Sequence, residues 1–183
     1  MVFEKWDILN EKGELIGKTA FRGRCQLKPG EFHLVVHIWV VSSDGRILIQ
    51  RRSDTKQLMP GEWAATGGAA IAGEDSFTAA KRELFEELGI ESDRDNMKKI
   101  LRIKKRNSLL DIWVTVSNLS TEQLRLQASE VAEAKWVTLE ELKNMIKNNK
   151  FHNYGKEYFE KVFEKIRRFT EQGASPETKG VTV

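Results

Sequence analysis

The residues best placed to do chemistry lie in KRELFEELGI, Lys81 to Ile90, where Glu83, Glu86 and Glu87 crowd three carboxylates beside Arg82 and just before Gly89. Like charges this close on a helix repel one another, so the crowding calls for a reason. At 100° per residue, with Phe77 at zero, the apolar Phe77, Ala80, Leu84 and Leu88 fall within about 60° of one direction. Glu83, Glu86 and Glu87 fall at about 240°, 180° and 280°, an arc that faces away from the core and can converge on one point. Hard divalent cations such as Mg²⁺ take carboxylate oxygens and keep waters and substrate phosphates as their other ligands, so the arc suits Mg²⁺. On helix geometry alone a solvated acidic face is the simpler reading, because Glu is a good helix former and common on surfaces.

The residues upstream decide between the two. From Gly68 the chain runs through five residues to Glu74, seven to Arg82 and Glu83, the aliphatic Leu84, one residue to Glu86 and Glu87, and one more to Gly89 and Ile90. Chance agreement with so many fixed residue types is on the order of 10⁻⁹ per starting position. The pattern is a complete match to the Nudix box. The chain resembles the Nudix hydrolase family from about Phe32 to Asn148, with the 23-residue box from Gly68 to Ile90 as its specific part. The resemblance implies a mixed β-sheet sandwiched between α-helices and hydrolysis of a diphosphate linkage with Mg²⁺ or Mn²⁺. It implies metal binding by Glu83, Glu86, Glu87 and the Gly68 carbonyl, with Glu74 and Arg82 bracing the loop and helix by ion pairing. Glu83 is one candidate base. Glu130, in ASEVAEAKWV, matches another position where members place a base or a further metal ligand.

Within the family, FHLVVHIWVVSSDGRILIQRRSDTKQLMPGEW resembles the isopentenyl diphosphate isomerase-like branch. His33, Arg52, Lys56 and the PGEW motif match its pattern, and the resemblance implies that Arg52 and Lys56 bind substrate phosphate, a sensible use of guanidinium and ammonium charge. His33 is a candidate on the phosphate side. The isomerase's own chemistry is not matched. Gly67 stands where the isomerase has its cysteine, Ala69 where it has a metal-binding histidine, and Leu109 and Asp111 where it has two acidic residues. Trp63, in the loop, could stack on a base or line the pocket.

The elements that must position these groups are legible in outline. Lys5–Leu9 and Glu14–Thr19 read as an N-terminal hairpin turning at NEKG. Phe32–Val41 reads as a strand buried on both faces and pairs in a central hairpin with Arg46–Arg51. A long glycine-rich loop follows, then the box helix, capped by Asp75 or Ser76 and stopped at Gly89. Strands are expected over Lys98–Arg106 and Leu109–Val116. Thr138 and Glu141 form a capping box for a helix over Leu139–Asn148, and a last helix spans Gly155–Thr170. The order indicates an α/β domain over residues 1–171, with 172–183 as a disordered tail.

Composition sets the outer limits. The chain of 183 residues carries 30 basic and 27 acidic side chains, net +3, too balanced to announce a nucleic-acid polymer as partner. Glu4 and Asp7 stand where a signal peptide needs an apolar run, and no stretch is long enough to cross a bilayer, so a cytoplasmic protein is expected. The single Cys25 rules out an intrachain disulfide and is read as a small packed or surface residue. The expected function is hydrolysis of a small-molecule diphosphate, a nucleoside diphosphate derivative or similar compound. A non-catalytic nucleotide-binding module and the isomerase are the alternatives. The N-terminal hairpin could pair with a neighbour as a homodimer or cover the pocket.

Overall fold

The computed structural model describes residues 4–24 and 26–171, so the readings made for Cys25 and for the tail from 172 lie outside the described residues. The hairpin forms as β1, Lys5–Leu9, and β2, Leu15–Phe21, paired antiparallel as a separate two-stranded sheet. It docks on its own chain. Leu9 exchanges backbone hydrogen bonds with Phe32, the Ala72 N–H donates to the Lys5 carbonyl at 2.7 Å, and the Gly73 N–H donates to Asp7 Oδ2 at 2.7 Å.

The main sheet has seven strands. They are β3 His33–Val41, β4 Ile47–Arg52, β5 Trp63–Ala64, β6 Thr66–Ala69, β7 Met97–Lys104, β8 Ser108–Val116 and β9 Val131–Val137. The helices are α1 Ser76–Leu88, α2 Leu139–Lys147 and α3 Lys156–Glu171. The unbroken apolar run of β3 is explained by two covered faces. Leu34, Val36, Ile38 and Val40 enter a core cluster with Ala79, Ala80, Leu84 and Leu88 of α1. Trp39 and Val41 enter a second cluster with Leu142 of α2 and Tyr158, Phe159, Val162 and Ile166 of α3. Successive strand side chains point to opposite faces, so the sheet lies between helices, as the sequence predicts.

The expected central hairpin is corrected by the pairing. β3 and β4 are matched only at Val40↔Leu48 and Val41↔Ile47. Beyond that point they part. β3 pairs with β6 over Val35–Ile38 and runs parallel to β8 along its whole length, while β4 turns to β9 and β5. The glycine-rich stretch is therefore two short strands joined by loops rather than loop throughout. Small residues in TGGA let β6 lie against β3, and a Cβ built on Gly67 would come within 2.1 Å of the Val36 carbonyl oxygen. Among the described residues no helix is long and apolar enough to cross a membrane.

Candidate active site

Helix α1 is fixed at both ends. Asp75 is its N-cap and accepts from the Thr78 N–H at 2.7 Å. Gly89 closes it at φ +70°, and a Cβ there would lie 2.7 Å from Cβ of Arg125. Of its acidic arc only Glu86 faces solvent as the helical wheel suggests for all three. Glu87 is only 3% exposed and the Glu83 side chain 13%, whereas that of Glu86 is 48% exposed. The reason is β6, which covers one flank of the helix. Glu83 lies so close to Gly68 that a Cβ on that glycine would fall 2.4 Å from Glu83 Oε1. A larger residue at this position would displace the Glu83 carboxylate.

Arg82 ties the loop to the helix. Its Nε and Nη2 donate to the two oxygens of Glu74 at 2.7 and 3.0 Å, and Nη2 also donates to the Ala69 carbonyl at 3.1 Å. Glu74 in turn accepts from the Ile71 N–H at 3.0 Å. The remaining nitrogen, Nη1, bridges Glu83 Oε1 at 2.9 Å and Glu86 Oε2 at 3.1 Å. Glu87 instead accepts at Oε2 from Gln50 Nε2 at 2.8 Å and the Gly67 N–H at 3.2 Å.

Burial pushes Glu83 up to about 7 against the opposing pull of Arg82, with Glu86 and Glu4 adding repulsion. Burial and then the charge of Glu83 push Glu87 up to about 8, more than Gln50, Gly67 and Arg52 bring back. In this arrangement no three His, Cys, Asp or Glu side chains among the described residues close on one point. The donor set nevertheless fits a divalent cation. Two buried carboxylates lack full countercharge, a glycine backbone is held against one of them, and an arginine already spans Glu83 and Glu86 as a cation would.

Two basic residues of the matched pattern lie nearby. Arg52, 8% exposed, ends β4 and donates Nε to the Leu58 carbonyl at 3.1 Å, and its charge reaches Glu87. Lys56 is ion-paired with Glu130, the candidate base. The segment before β9 that carries Glu130 is pinned to the box helix, since the Arg125 N–H donates to the Leu88 carbonyl and the Gln127 N–H to the Glu87 carbonyl. The His33 ring is stacked on Trp6 with centroids 4.1 Å apart, and burial holds it down at about 4. Trp63 packs against the second core cluster with Lys135 Nζ 4.2 Å from its ring centroid, and its carbonyl accepts from the His152 N–H. Gln50 is the site residue that sequence reasoning missed. A lone polar side chain in the run ILIQ was the available signal.

Asp111, on β8, is fully buried and held by Arg102 Nε at 2.5 Å and Nη2 at 2.8 Å, with Lys99 at 3.4 Å. Burial alone would raise its carboxyl. The hydrogen bonds from Arg102 and Ser76 and the charges of Arg102 and Lys99 outweigh that and hold it below the usual range.

A mixed sheet forked between β3 and β4, with a glycine strand and an acidic helix seated at the fork, defines the Nudix fold. The chain belongs to the Nudix hydrolase family. The family's NUDIX domain profile matches residues 31–160. The chain is 40% identical over 152 residues to lmo0368 of Listeria monocytogenes, named an uncharacterized Nudix hydrolase, covering 82% of this chain and 89% of that one. It is 34% identical over 141 residues to YfcD of Escherichia coli, named likewise, covering 74% of each chain. The fold is shared with the crystal structure of DR0079 from Deinococcus radiodurans, at TM-score 0.70 and 24% identity over 90% of this chain and 98% of that one.

Proposed function

We propose that this chain is a Mg²⁺-dependent hydrolase, able to use Mn²⁺, that cleaves the diphosphate linkage of a nucleoside diphosphate derivative or similar organic diphosphate. The observation that carries this reading is the pair of buried, under-compensated carboxylates, Glu83 and Glu87, packed against Gly67 and Gly68 beside the cation Arg52. Glu83, Glu86, Glu87 and the Gly68 carbonyl would hold the ion. When bound, such an ion offsets the charge of phosphate oxygens and lowers the pKa of a bound water.

The rest falls to the chain's own side chains. Arg52 and Lys56 bind phosphate oxygens, Arg52 from a fixed position and Lys56 after leaving Glu130. Glu83 or Glu130 takes the proton from the attacking water. Arg82 and Glu74 hold the box loop on the helix, so the carboxylates keep their spacing when substrate arrives. His33 is assigned to the phosphate side and Trp63 to the substrate's remaining part, the nucleoside or other organic group.

Incubating the protein with Mg²⁺ and a panel of nucleoside diphosphate derivatives and other organic diphosphates, with ³¹P NMR as readout, tests this. Cleavage between the phosphorus atoms that disappears with EDTA is expected. Tight binding of a nucleotide with no turnover across the panel would move the chain to the class of binding modules.

A further inference from the structure

Gln50 is 1% exposed and stands in β4 directly after the buried Ile47, Leu48 and Ile49. A leucine or methionine would suit such a place without bringing polar atoms into it. β4 is held on both sides here, with Gln50 opposite Ala134 of β9 and Ala64 of β5, so the side chain springs from a rigid platform flanked by small residues. It reaches across to α1 and donates Nε2 to Glu87 Oε2 at 2.8 Å. The Gly67 N–H donates to the same oxygen, so both donors fall on Oε2 and none of the described hydrogen bonds falls on Oε1. The other end of the amide is open, because Gln50 Oε1 is buried with no hydrogen-bond partner. Turning the amide over would give Glu87 an acceptor in place of a donor and leave the NH₂ group open instead. In either orientation the site lacks one partner that the folded chain does not supply.

We propose that Gln50 is a positioning residue for the metal site: it fixes one oxygen of Glu87 so that the other is presented to the divalent ion, and its own carbonyl is completed by a donor that arrives with the ion. A water from the ion's shell has the right chemistry, since Mg²⁺ keeps several of its waters when bound. Partners outside the ligand sphere commonly orient carboxylate ligands in this way. The inference rests on the metal-binding reading above.

Mn²⁺ binding to the full chain without substrate, followed by the EPR signal of free Mn²⁺, tests the two readings separately. Wild-type protein binds Mn²⁺ and Glu87→Gln binds it more weakly; if either result fails, the metal reading falls and takes this one with it. With that reading intact, Gln50→Met and Gln50→Leu are expected to weaken Mn²⁺ binding by about 10- to 100-fold, while the melting temperature of the metal-free protein stays level or rises. Binding within twofold of wild type in both variants overturns the proposal. So does weaker binding accompanied by a lower metal-free melting temperature in both, which assigns Gln50 to core packing.

Discussion

Two places in this fold bury carboxylates against the same sheet, and they treat them in opposite ways. Asp111 is enclosed with a bidentate arginine, a lysine and a serine, and its charge is settled within the chain. Glu83 and Glu87 are nearly as enclosed but share one edge of Arg82, a glutamine amide, a backbone N–H and the more distant charge of Arg52. A buried carboxylate with its own counterions is architecture, whereas one without them is a place kept for something positive. The direction of the pKa shift reports the difference, down for Asp111 and up for Glu83 and Glu87.

The most forceful way to break the comparison is Glu87→Gln. Diphosphate hydrolysis should fall by more than about 100-fold, since losing even an outer-shell partner of a metal costs 10- to 100-fold. At pH 8 and above the metal-free protein should melt no lower than wild type, because an unsettled buried charge has been removed. Steady-state phosphate release and a thermal melt check both halves.

A pH series sharpens it. The folded values of Glu83 and Glu87, about 7 and 8, stand above the ordinary 4.5, so the folded state binds protons more tightly than the unfolded chain. Their stabilisation is complete below about pH 4.5 and is lost as pH rises through 7 to 8. His33 and His37, held down at about 4 and 3, titrate in the unfolded chain near 6.5 and affect stability only below that. From pH 6.5 to 9 in EDTA, stability should therefore drop by an amount on the order of a few kcal/mol, and added Mg²⁺ should flatten the slope. Asp111 has the opposite sign. Its contribution is present above the ordinary 3.8 and lost only as pH falls through its lower folded value.

Arg102→Met should cost about 3 kcal/mol by chemical denaturation, at the low end for breaking a buried pair, because Lys99 and Ser76 still face Asp111. Hydrolysis by the folded variant should be unchanged. Asp111→Asn should cost less, about 1–2 kcal/mol, because the cations it releases are partly exposed and recover water. If that substitution abolished hydrolysis with the fold intact, Asp111 would belong to the site and the contrast would be lost.

Much of this was legible in the sequence because it is local. The helix that carries Glu83, Glu86 and Glu87 follows from periodicity, its ends from Asp75 and Gly89, and the double burial of β3 from an apolar run too continuous for a one-sided strand. The rest depends on partners distant in the chain. A helical wheel shows which way Glu87 points but not that β6 lies over it. Turn chemistry at SSDG predicts that β3 meets β4 but not that they part after two residue pairs, since β6 and β9 compete for their edges. The role of Gln50 depends on that competition, which brings β4 within reach of α1.

The close approach at Gly67 also limits how this chain could be redesigned. In the isomerase-like pattern a cysteine occupies that position, yet here any Cβ would collide with the backbone of β3, which cannot swing aside as a side chain can. Placing a reactive side chain at Gly67 would thus require shifting a central strand. A single-codon change at Gly67 leads to a misfit instead of a new activity, so the backbone here restricts which neighbouring functions are within mutational reach.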